Sequence, residues 1–190
     1  FLTLLENHID LDKIIPTSFY KHYYASTGRN RKYPLNAMLW ALIIQRLFSI
    51  PTDSLLLIFL HYSRHLREFC GFTKVPDASK ITRFKQDFLM DLQSVFDNLV
   101  DITEPICQDI DGNLASMLLF DTSGIEAYPG VERGSQEWDD TYKIRVNVEK
   151  SINHFKDSFC VANRKTTNEK TLHADLLLAG ISQLLTVVVA

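Results

Sequence analysis

Tyr142 to Lys156 reads YKIRVNVEKSINHFK. The stretch contains neither Pro nor Gly, and its apolar residues recur at helical spacing, so it is predicted to be one helix. At roughly 100° per residue, Tyr142, Arg145, Glu149 and Lys156 share an arc of roughly 60°. Ile144, Val148, Ile152, Phe155 and Phe159 fall together on a separate arc, and Val146 lies beside the polar arc. One face can therefore be buried while the other presents a carboxylate flanked by two cations and a phenol. On spacing alone, the plainer alternative is a surface helix carrying an Arg145–Glu149 pair worth a few tenths of a kcal/mol.

Composition frames the rest. The chain has 190 residues, 46% of them hydrophobic, enough for one or two small domains with a core. Its net charge of -3 does not by itself announce a nucleic-acid partner. Cys70, Cys107 and Cys160 show no metal-ligand spacing and are expected to be packed thiols in a reducing compartment. No apolar run reaches the roughly 18 residues of a membrane span, so no membrane partner is expected. No signal peptide is visible. The chain starts at Phe1 and ends inside the apolar run LLTVVVA, so both ends are expected to be truncated.

Charge is unevenly distributed. From Lys21 to Lys85 there are 11 Lys or Arg against 3 acids, a balance of +8. From Asp91 to Asp140 there are 12 acids against one Arg, a balance of -11. A basic first half suits phosphate contacts, and an acidic middle suits metal binding or plain solvation.

In chain order, a short helix and loop end at Pro16, and Thr17 to Tyr24 is a further helical candidate. Arg29, Arg31 and Lys32 sit in a loop punctuated by Gly28 and Pro34, exposed for phosphate contact. Leu35 to Phe48 reads as a buried helix. Thr52 or Asp53 caps the next, which runs to about Tyr62. Asp77 or Ser79 caps a long helix from Ala78 to about Leu99, with Lys80, Thr82, Arg83 and Lys85 in its first turns. Short helices followed by such a capped basic helix look like a helix-turn-helix, whose recognition helix meets DNA with its N-terminal residues. The alternative is a plain bundle with a basic surface.

Two blocks carry a family resemblance. Tyr142, Arg145, Glu149 and Lys156 match Y-x2-R-x3-E-x6-K in full, and this resembles the C-terminal signature of bacterial insertion-sequence transposases of the DDE type. The segment from about Gly28 to Phe88 resembles the helical N-terminal domain of the same transposases. The resemblance implies a helical DNA-binding domain that recognises terminal inverted repeats of double-stranded DNA. It also implies a ribonuclease-H-like core that cleaves and joins DNA strands with Mg²⁺. Glu149 would be the last of three metal-binding acids, and Tyr142, Arg145 and Lys156 would handle the DNA end. Asp121, after the strand candidate Met117 to Phe120, would be the first acid. The implied location is the cytoplasm, at the bacterial nucleoid.

The chain departs from that pattern in its middle. Two metal ions about 4 Å apart need carboxylates from different core elements. Only 27 residues separate Asp121 from Glu149. They show no further strand pattern, and a βαβ unit alone takes about 30. Asp139 and Asp140 are the nearest substitutes for the second acid but sit where a helix N-cap is expected.

The expected fold is therefore mainly α. Residues 1–100 form a helical DNA-binding domain with a helix-turn-helix-like element. Residues 101–190 form a remnant of a ribonuclease-H-like α/β core, with one or two strands and two C-terminal helices. An unpaired apolar strand there invites association with another copy. His173 and Asp175, on the final helix, are expected at the surface. The expected function is that of a transposase remnant that binds DNA without cleaving it. The alternatives are a helical protein-interaction module and an inhibitor of transposition.

Overall fold

The computed structural model describes residues 2–25, 31–110, 135–161 and 168–189. Among them the chain is helical and holds no strand. Three short helices come first: α1 (Leu2–His8), α2 (Leu11–Ile14) and α3 (Thr17–Tyr23). Then follow α4 (Leu35–Leu47), α5 (Asp53–Tyr62), α6 (Arg64–Cys70), α7 (Ala78–Asp87) and α8 (Leu89–Ile110). The last two are α9 (Gln136–Ser158) and α10 (Glu169–Val189). The strand candidate Met117 to Phe120 lies outside the described residues.

Local chemistry sets the helix ends. The Thr52 hydroxyl accepts from the Leu55 N–H at 3.2 Å and caps α5. That leaves Asp53 for another role. The Asp77 carboxylate accepts from the Lys80 N–H at 3.1 Å and caps α7. Gly71, at φ 84°, takes the left-handed position that closes α6. Ser135 caps α9, accepting from the Trp138 N–H at 3.2 Å. The expected cap at Asp139 or Asp140 is thus corrected, because the helix begins a turn earlier. The single helix expected from Ala78 to Leu99 is also corrected. It breaks at Phe88, where ψ turns to 26°. The Phe88 ring sits there among Phe19, Tyr23 and Phe84.

The core is built around α4, which is buried on nearly all sides, from Leu35 through Arg46. The final helix α10 packs against α8, α4, α7 and α1. Its residues Ala174, Leu177, Leu178, Ile181 and Leu185 belong to the same hydrophobic cluster as Leu39, Leu42 and Phe84. Gly180 lets α10 approach α8 closely, since a Cβ there would stand 2.7 Å from the Phe96 ring. By length and hydropathy α10 could cross a membrane, unlike the expectation from its sequence, but half of its apolar window is buried inside the bundle. The expected boundary at residues 100 and 101 falls inside α8, and one core runs across it.

Three charges, Arg46, Lys85 and Asp175, lie inside this core, and a fourth, Asp53, is half-buried at its edge. The Arg46 guanidinium donates to the Asp175 carboxylate at 2.5 Å. The Lys85 ammonium reaches both Asp53 oxygens at 2.8 and 2.9 Å and Asp175 at 2.9 Å. Gln45 donates to Asp53 at 3.0 Å. Both cationic side chains are fully buried. Burial pushes the Arg46 pKa down, and Asp175 and Asp53 oppose that shift. The expectation of Asp175 at the surface is corrected, while His173 is exposed.

The thiols differ in the same way. Cys70 is buried, and burial pushes its thiol pKa up to about 12. Cys107 is exposed on α8, against the expectation of a packed thiol. Cys160 is half-buried, and its thiol donates to the Ser49 carbonyl at 3.0 Å. A disulfide reagent is expected to label Cys107 at once and Cys70 only after unfolding. Prompt labelling of Cys70 at native helicity would mean that the bundle is open near α6.

Candidate nucleic-acid interface

One face of α7 follows from its sequence. Lys80, Arg83, Phe84, Asp87 and Phe88 recur at three- and four-residue spacing and share a side. Opposite them stands the segment 31–33, placed by aromatic contacts with α3. Tyr23 donates its phenol to the Tyr33 carbonyl at 2.8 Å. Tyr24 accepts the Leu35 N–H at 3.0 Å, occupying one of the unpaired donors at the start of α4. Between the two walls lies a cleft of about 460 Å³.

Arg31 is held at one edge of this cleft. Its Nε donates to the Tyr23 carbonyl at 3.3 Å. Its guanidinium carbon lies 5.0 Å from the Phe88 ring centre and 5.4 Å from that of Tyr23. Aromatic rings attract a cation this close, so the guanidinium is oriented before any ligand arrives. Lys32 places its ammonium 5.8 Å from the Tyr33 ring centre. Lys80 and Arg83 line the α7 wall and are exposed. None of these four cations is in an ion pair among the described residues. Asp77 and Asp87 also line the cleft, leaving a formal balance of +2. The Ser79 hydroxyl and the Lys80 N–H hold the Asp77 carboxyl below its ordinary range. Burial pushes the Tyr23 phenol up to about 12, so it stays a neutral hydrogen-bond donor near neutral pH.

The sequence candidates separate into groups. Arg31, Lys32, Lys80 and Arg83 converge on the cleft. Thr82 turns its hydroxyl back to the Ala78 carbonyl at 3.1 Å. Lys85, expected at DNA, lies in the core between Asp53 and Asp175. Lys85 continues the buried side of Ile81 one turn on rather than the side of Lys80 and Arg83. Arg29 and Asp121 lie outside the described residues.

Glu149 and Lys156 are exposed on α9, which also carries Tyr142 and Arg145 in its backbone. The side chains of Tyr142 and Arg145 are not among those described. A divalent ion of the Mg²⁺ type needs several oxygen ligands. Among the described residues no three His, Cys, Asp or Glu side chains gather to supply them. What sequence reasoning missed is the aromatic wall of Tyr23, Tyr33, Phe84 and Phe88. Its members come from three separated stretches, and nothing local to any of them announces the others.

Comparison with known proteins bears on the same region. No curated protein and no solved structure matches the chain. Residues 1–87 match a family model described as Transposase domain (DUF772). That segment holds every residue of the cleft except Phe88. The match supports a transposase-family relation for this chain.

Proposed function

We propose that this chain is a DNA-binding remnant of a DDE-type transposase. In this reading it contacts the backbone of double-stranded DNA at terminal inverted repeats through Arg31, Lys32, Lys80 and Arg83. The observation that carries it is the convergence of these four cations, none in an ion pair among the described residues, from two separated stretches onto one cleft. Cations left unpaired at one place favour a polyanion, because each phosphate contact releases condensed counterions. The ancestral activity is Mg²⁺-dependent strand cleavage and transfer, with Asp121 and Glu149 as the surviving acids and Tyr142, Arg145 and Lys156 beside them. The short interval between Asp121 and Glu149 supports the view that this activity is lost.

Duplex binding across a salt series tests the proposal. Four phosphate contacts predict a slope of log K against log[salt] of roughly -3 to -4, at about -0.9 per contact. Lys80→Ala and Arg83→Ala should each weaken binding to all sequences alike and reduce the slope by about one. Unchanged affinity and slope in both variants would remove the cleft from the DNA interface. Nicking that requires Mg²⁺ and disappears in Glu149→Ala would show that catalysis survives.

A second reading, a helical interaction module, is favoured by α5. Its residues Ile58, Phe59 and Tyr62 are exposed along one side, Tyr62 to 88%. That reading predicts no duplex affinity even at low salt.

A further inference from the structure

The cleft is too small for a duplex and well sized for one nucleotide. Its volume of about 460 Å³ lies within the range of small-molecule sites, roughly 300–1,000 Å³. A duplex laid across it would touch the rim cations and leave the interior unused. Tyr23, Phe84 and Phe88 are buried, and two of those rings are occupied in orienting Arg31. Tyr33 is different, lining the cleft as a half-buried residue. Phe72 meets that ring edge-on, with centroids 6.2 Å apart. Lys32 holds an ammonium near it.

Asp77 is accounted for as the cap of α7, but Asp87 in a cleft that serves phosphate alone is unexplained, since it repels the ligand. Carboxylates do accept hydrogen bonds from the exocyclic amines of bases. Asp87 on the α7 wall is placed for that, while Lys80 and Arg83 on the same helix suit the phosphate. A planar guanidinium and an aromatic ring are the two kinds of surface on which an unstacked base rests.

We propose that the cleft binds one unstacked nucleotide of single-stranded DNA, its base against Tyr33 and Arg31 and its phosphate on Lys80 and Arg83. This rests on the cleft being the DNA contact, and it adds that the preferred substrate is an unpaired or frayed strand.

The test compares a short labelled oligocytidylate with a relaxed, covalently closed duplex minicircle, which has neither ends nor unpaired bases. Affinities are measured per phosphate at one salt concentration. The single strand should bind about tenfold tighter, in line with what one stacked base contributes. Tyr33→Phe should keep that preference and Tyr33→Leu should abolish it. The hydrogen bond from Tyr23 to the Tyr33 backbone carbonyl does not depend on this side chain. If Tyr33→Leu fails to fold, Arg31→Lys decides, since it keeps the charge and removes the plane; the preference should fall there too.

Equal or tighter binding of the minicircle would overturn the single-nucleotide site and leave duplex binding standing. A preference that persists in Tyr33→Leu, or in Arg31→Lys where that variant decides, would overturn it as well. Binding of neither DNA would remove both this inference and the proposed function.

Discussion

Asp175→Ala should lower the stability of this protein by about 3–5 kcal/mol, the usual cost of removing one partner from a buried ion pair. The Asp175 carboxylate takes the guanidinium of Arg46 at 2.5 Å and the ammonium of Lys85 at 2.9 Å. Lys85 would keep Asp53. Arg46 would lose its hydrogen-bonded carboxylate, and its Nε and Nη1 already lack partners. A guanidinium would then stand unpaired in the core, where desolvation already disfavours its charge. For a chain of this length, 3–5 kcal/mol corresponds to a fall in Tm of roughly 6–20 °C. Thermal unfolding followed by circular dichroism measures it. A variant that melts within about 1 °C of the parent would show that the cluster is not closed as described. Replacing Arg46 by Met and Asp175 by Leu together should recover much of the loss, because the apolar pair leaves no orphaned charge between them.

A chain ended after Asn168 should not unfold cooperatively at all. It lacks Asp175, and it also lacks the buried apolar side of α10. Leu177, Leu178, Ile181 and Leu185 are each buried against the bundle. At about 1.5–3 kcal/mol for each such side chain, an upper estimate, their removal costs roughly 6–12 kcal/mol. That equals most of the 5–15 kcal/mol that holds a typical domain together. The truncated chain should keep part of its helicity, bind a hydrophobic dye and show no sharp melting transition. A cooperative transition at the parent's Tm would mean that the first 168 residues close a core without α10.

These two expectations bear on the family match. Residues 1–87 carry Arg46, Asp53 and Lys85, two cations against one carboxylate, and all but one residue of the cleft. The second carboxylate comes from Asp175, far outside the matched segment. Within this chain, therefore, the segment similar to a transposase domain is completed by the last helix. α7 feels this directly. One side of it carries Lys80 and Arg83 into the cleft, while the other fixes Lys85 to Asp53 and Asp175. DNA-binding variants of α7 should thus be scored for melting temperature alongside affinity.

Much of the helical content was legible along the chain. The apolar spacing of Leu35 to Phe48 and the candidate caps at Thr52 and Asp77 mark helices that the structure contains. So does the uninterrupted run from Tyr142 to Lys156. Such features depend on neighbours within one or two turns, so a sequence carries them in full. The basic character of Arg31, Lys32, Lys80 and Arg83 was equally visible, because charge belongs to the residue.

The pairing of those residues belongs to the fold. Arg31 and Arg83 share a cleft only because α3 and α7 meet through Phe19, Tyr23, Phe84 and Phe88. Lys85 was expected at DNA and Asp175 at the surface, the usual default for a charge with water as its alternative. Here each finds an opposite charge across the core, and the partners stand 129 residues apart for Arg46 and Asp175. No local pattern encodes a contact of that range. The sequence alone determined which segments coil and where positive charge is available. Only the tertiary structure decided which charges face solvent and which are spent inside, because burial depends on what the other helices bring to the same place.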